Sequence, residues 1–146
     1  TMETNSATAV EEGLPNSVFG AAVNDDTQAV TAWLDGGGGV DARQRAEQDQ
    51  TTLLMVATAR GQEAMVRMLL QRGASVNLRG PIGFTALIGA ALQGYTTIVQ
   101  ALLDAKADAS LQCKNGYTAL MMAEAGEAHR PGKHTAVAQL LRQHAK

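Results

Sequence analysis

Three histidines and one cysteine are the side chains of this 146-residue chain best suited to act as base, nucleophile or soft metal ligand. His129, His134 and His144 all fall in the last 18 residues, and Cys113 stands apart from them. Nucleophilic catalysis needs a serine or cysteine held against a histidine base. Cys113, expected at a loop tip, has no such base beside it. His129 and His134 have four residues between them, a spacing zinc tolerates, but zinc wants two further ligands. Only Glu124, Glu127 and the distant Cys113 are candidates. The segment 127–133, with Pro131 and Gly132, is therefore expected to be a flexible, solvated loop.

Gly132-Lys133-His134-Thr135 imitates the end of a phosphate-binding loop and fails it on three counts. Five residues rather than four separate Gly126 from Gly132, His134 stands where a Ser or Thr would hold the metal, and no strand precedes the segment. The four glycines 36–39 have no Lys-Ser or Lys-Thr after them and read as a slack turn. The carboxylate pairs Glu11–Glu12 and Asp25–Asp26 are adjacent in sequence and expected to be exposed, not a buried acid–base pair. No catalytic residue, cofactor or metal is expected, and the chain does not read as an enzyme.

The charge distribution narrows the partners. Residues 1–50 hold two basic and nine acidic side chains, a net of −7, while residues 51–146 carry a net of +5. That polarity can orient a charged partner. It is too weak for nucleic acid, which would also want aromatics interleaved with cations; Phe84 and Tyr117 near Arg79 and Lys114 are the sole hint of that. A lone cysteine cannot staple the fold with an internal disulfide. No apolar run reaches the length of a membrane span, and residues 1–12 lack a secretory pattern. An intracellular monomer with a disordered tail at 1–14 is expected.

The elements that position these residues come from an internal repeat. Residues 52–77 (TLLMVATARGQEAMVRMLLQRGASVN) and 85–110 (TALIGAALQGYTTIVQALLDAKADAS) align without a gap at a separation of 33 residues. Thr52 pairs with Thr85, Ala57 with Ala90, Gly61 with Gly94, Leu69 with Leu102, Ala74 with Ala107. A third copy opens at Thr118, and Leu120 lies 33 residues after Leu87. Each threonine precedes an apolar run and is placed to cap a helix. A first short helix ends near the glycine, where a left-handed turn suits Gly best. A second shows i, i+3, i+4 apolar spacing at Met65, Met68, Leu69 and at Ile98, Ala101, Leu102. Aromatics are only 3% of the chain, so the core must be built from Ala, Leu, Val and Met. Small Ala57, Ala90 and Ala91 would let helices approach closely.

Period and pattern together resemble the ankyrin-repeat family, with its G-x-T-P-L-H-x-A-A-x-x-G-x-x-x-V-V-x-L-L-L-x-x-G-A-x-V-N pattern. The resemblance covers about 16–146. It is strongest over 50–112, interrupted at 127–133, and weaker at 16–42, where Phe19, Ala22, Val30, Trp33, Leu34 and Val40 fall near apolar slots. It implies an all-α ankyrin-repeat solenoid of helix–turn–helix units with short β-hairpin-like loops, the repeats spanning about 15–45, 46–79, 80–112 and 113–146. The chain departs from the pattern at the Pro slots (Leu53, Ala86, Ala119) and the His slots (Met55, Ile88, Met121), where apolar contacts must replace a polar network. Gln50 and Lys106 replace loop glycines, so those junctions are expected to be less regular.

The family binds other proteins through the loop tips and first helices that line its concave face. Carried onto this chain, the resemblance assigns partner contacts to Arg60 in repeat two, where Gln48, Asp49 and Thr51 form the tip. It assigns Arg79, Ile82, Phe84, Leu92 and Gln93 in repeat three, and Lys114, Asn115 and Tyr117 in repeat four. Apolar and aromatic residues at positions expected to face solvent mark a binding patch, and Arg60, Arg79 and Lys114 favour acidic flanks on the partner. The implied function is a protein–protein interaction module for a peptide or protein surface. The alternative is a regulatory or targeting fragment of a larger enzyme or channel.

Overall fold

The threonine that opens each copy sets a helix start. The Oγ1 atoms of Thr52, Thr85 and Thr118 accept the amides of Met55, Ile88 and Met121 at 3.3, 3.2 and 3.3 Å. Each hydroxyl satisfies a donor that the first helical turn leaves unpaired. The computed structural model describes residues 13–44 and 51–144. Its α-helices, in chain order, are α1 (Asn16–Val23), α2 (Thr27–Asp35), α3 (Leu53–Ala59), α4 (Glu63–Gln71), α5 (Ala86–Gln93), α6 (Thr96–Asp104), α7 (Ala119–His129) and α8 (Thr135–His144). These are four helix pairs, the all-α arrangement expected. Residues 1–12 of the expected tail, and Gln48, Asp49 and Gln50, lie outside the described residues. Leu14, assigned to that tail, is buried, and its amide donates to the Arg43 carbonyl at 2.9 Å.

The chain divides into two compact units, Thr1–Ala74 and Ser75–Lys146. In the first, α1 packs on α2 and on α3, and α3 packs on α4. Its core is Ala22, Val30, Leu53, Leu54, Ala57, Met65, Val66 and Leu69. Arg72 and Asp35 form an ion pair at 2.6 Å between the ends of α4 and α2; both are exposed enough that it is worth at most about 1 kcal/mol. The run 36–39 is less slack than expected: Gly38 lies so close to the indole of Trp33 that a Cβ would overlap the ring.

In the second unit α5 packs on α6 and on α7, and α8 packs on α6 and on α7. The α5–α7 contact is made by small residues: Ala86, Ala90, Ala91, Ala119, Ala123 and Gly126 are all buried. Ile98, Val99, Leu102, Leu103, Val137 and Leu141 fill the layer between α6 and α8. Each large aliphatic removed from water there contributes roughly 1.5–3 kcal/mol.

One junction corrects the sequence expectation. Lys106 ends α6 with φ 73°, the conformation Gly73 takes at φ 88° after α4. The hydrogen bonds agree as well: Lys106 N to Leu103 O and Ala107 N to Leu102 O repeat Gly73 N to Leu70 O and Ala74 N to Leu69 O, all at 3.0–3.1 Å. The turn is as regular as its glycine counterpart because the helix-ending bonds override the Cβ penalty, which is roughly 1–2 kcal/mol for a non-glycine residue.

Candidate functional site

The tips of repeats three and four are built alike. Gly80 N donates to Phe84 O at 2.8 Å, and 33 residues later Cys113 N donates to Tyr117 O at 3.0 Å. Within each, Gly83 N reaches Gly80 O at 3.0 Å and Gly116 N reaches Cys113 O at 2.9 Å. The two tips are joined by the Lys114 amide, which donates to the Ile82 carbonyl at 3.0 Å. Gly83 leaves no room for a Cβ against the Lys114 and Cys113 backbone. Five of the anticipated contact residues, Ile82, Phe84, Lys114, Asn115 and Tyr117, thus share one pair of touching loops. Ile82 is 58% exposed and Tyr117 49%, while Lys114 and Asn115 are also exposed. Phe84 is half-buried and Cys113 buried, so these two support the tips from beneath.

Arg79 is exposed just before the first tip. Leu92, 37% exposed, and Gln93 end α5, roughly 10 Å from the tips by helical rise. Gly89, Leu92 and Gln93 form the stripe of α5 that is not fully buried, at i, i+3 and i+4. They extend the tip surface along a helix and do not belong to the tip cluster itself. Arg60, the C-cap of α3, is exposed in the first unit.

Met121 departs from expectation. The His-slot residues were to replace a polar network by apolar contact; Ile88 is buried and Met55 half-buried, but Met121 is 46% exposed. Among the described residues no further repeat follows to cover it. Its exposure was not legible in the pattern, which gives all three positions the same role.

The segment 127–133 is also corrected, from a slack loop to a tied one. Glu127 stands where Gly61 and Gly94 end the first helices of the two preceding repeats, so α7 does not stop and runs on to His129. The Glu127 carboxylate then accepts Gly132 N at 2.5 Å, His134 N at 2.8 Å and Thr135 Oγ1 at 2.8 Å. The Gly132 amide foremost, and then the Thr135 hydroxyl, hold the Glu127 carboxyl below its ordinary value. Lys133 Nζ lies 5.9 Å from the Tyr95 ring centroid, within cation–π range.

His134 follows, 3% exposed. Its Nε2 lies 2.7 Å from the Leu92 carbonyl oxygen, which can only accept, so Nε2 carries the proton. The ring occupies space left by Gly126, where a Cβ would overlap it. His134 thereby joins the start of α8 to the end of α5 through Nε2, while its Nδ1 is buried without a hydrogen-bond partner. Beyond the C-terminal end of α6, Asp108 accepts from the hydroxyl and the amide of Ser110, the hydroxyl foremost in lowering its pKa, and its own amide donates to Asn77 Oδ1 at 2.8 Å.

A family model described as ankyrin repeats, in three copies, matches residues 18–113. The fourth helix pair, with its longer first helix, lies beyond that match. No curated protein matches the chain.

Proposed function

The chain belongs to the ankyrin-repeat family, and from that premise we propose that it captures an extended acidic segment of another protein on the tips of repeats three and four. Ankyrin repeats are generally protein–protein interaction modules and typically non-catalytic. The observation that carries the finer reading is the joined tip pair. Ile82 and Tyr117 hold apolar surface out to solvent beside the exposed Lys114. The segments 78–84 and 111–117 contain two cations, Arg79 and Lys114, and no carboxylate. A partner that offers an apolar side chain next to an acidic one complements both features. Leu92 and Gln93 would extend the contact along α5 for a longer segment.

A peptide-display selection on the purified chain tests this, with Lys114→Glu and Tyr117→Ala as comparison baits. Enrichment of acidic sequences with one apolar anchor, lost by roughly tenfold or more on either variant while helicity is kept, is the expected outcome. Enriched sequences without acidic residues, or sequences that ignore both substitutions, would overturn it.

A further inference from the structure

Ile82 has φ 52°, inside the left-handed region. Among the described residues three non-glycine positions have positive φ: Asp25, Lys106 and Ile82. The other two have a local reason. Asp25 and Lys106 each follow a helix and sit within its terminating hydrogen bonds, Asp26 N to Ala21 O and Ala107 N to Leu102 O, and Asp tolerates this conformation. Ile82 ends no α-helix. It is the third residue of the turn from Gly80 to Gly83, a position that calls for Gly or Asn when φ is positive. A β-branched side chain there is an outlier. The equivalent slot in the next tip holds Asn115, which would tolerate a left-handed conformation yet does not adopt one.

The fold gains little from the Ile82 side chain, which is more than half exposed. The turn bond Gly83 N to Gly80 O and the ring of Pro81 suit a turn of either kind, and what ties Ile82 in this conformation is the backbone bond between the tips, Lys114 N to Ile82 O. A residue that violates its turn's chemistry without packing into the core is expected at a functional position. Resting on the binding reading above, we infer that Ile82 is the specificity-determining anchor of this surface. It is held out in advance by a strained turn, so that the partner's apolar side chain meets Ile82 and Tyr117 while its acidic neighbour meets Lys114. Because the turn is fixed beforehand, binding orders little of the chain.

The inference sets stability and binding against one another. Ile82→Gly and Ile82→Asn relieve the turn and remove the anchor; Ile82→Leu keeps an apolar side chain. Thermal unfolding is measured for each, with affinity for synthetic peptides taken from the display selection on the wild-type chain. The Gly and Asn variants are expected to melt about 1–4 °C higher and to bind about tenfold more weakly or worse, with Leu within about threefold of wild type. A lower melting temperature for both Gly and Asn would make Ile82 a fold residue and overturn the inference. Unchanged binding by Gly and Asn, with binding lost on Tyr117→Ala, would overturn it while leaving the surface intact. If no peptide is enriched on the wild-type chain, both readings fall.

Discussion

Gly126 lies inside α7 where helix propensity alone would favour alanine. Its value is the space it leaves: the imidazole of His134 occupies the volume a Cβ would take, and from there reaches the Leu92 carbonyl. Gly126→Ala should therefore destabilise the second unit by about 1–3 kcal/mol, against the propensity scale, because the ring must move and give up that bond. Chemical denaturation of the two proteins checks it; a stabilised variant would show that the ring moves freely. Lys106→Gly should act in the opposite sense. The residue already adopts φ 73°, so removing its Cβ should raise stability by about 0.5–1 kcal/mol, once the greater freedom of glycine in the unfolded chain is offset.

At the scale of an element, α7 and α8 are joined through one carboxylate. Glu127 collects Gly132, His134 and Thr135, and so caps the start of α8 from the helix before it. Its folded pKa is depressed below the ordinary 4.5, so the sign of the pH effect follows. The stability it contributes is present above about 4.5 and is lost as pH falls through the lower folded value. Glu127→Gln should accordingly lower the melting temperature at neutral pH, and the gap from wild type should close as pH falls through the depressed folded value. A gap that is independent of pH would place the effect in packing instead of charge. Hydrogen exchange should localise the loss to the amides of 132–137. The second helices carry the larger energies: Leu102→Ala, a fully buried position on α6, should cost about 2–5 kcal/mol in an equilibrium unfolding titration.

For the whole molecule the relevant quantity is the charge that surrounds the proposed surface. Residues 51–146 are net positive and residues 1–50 net negative. Association with an acidic peptide should be steered by the positive part and weakened by salt, mostly through a slower on-rate. Raising ionic strength from about 0.05 to 0.5 M should lower the association rate constant severalfold, with a smaller change in the dissociation rate, as surface plasmon resonance would read it. A salt-independent on-rate would assign recognition to the apolar contact at Ile82 and Tyr117 alone.

The repeat, its period of 33 and the helix starts were determined by the sequence itself, because capping threonines, terminal glycines and apolar spacing act within a few residues of one another. The buried sets of α4 and α6 followed from the same local pattern; the family resemblance implied solvent-facing Ile82, Phe84, Leu92 and Tyr117, of which Phe84 is half-buried instead. Other features depended on neighbours distant in the chain. The burial of His134 has no local signal, because what holds it is the Leu92 carbonyl, 42 residues away. The segment 127–133 looked slack because its glycine and proline are local signals of looseness, whereas Glu127 ties it from across the turn. Met121 looked like Ile88, since the pattern cannot say whether a further layer covers it. The strain at Ile82 is invisible in a sequence that reads Pro-Ile-Gly; it goes with the backbone bond from Lys114 N to Ile82 O that joins one tip to the next. Local hydrogen bonding and periodicity thus specify the elements, while the shape of the proposed binding surface is fixed by contacts between repeats three and four.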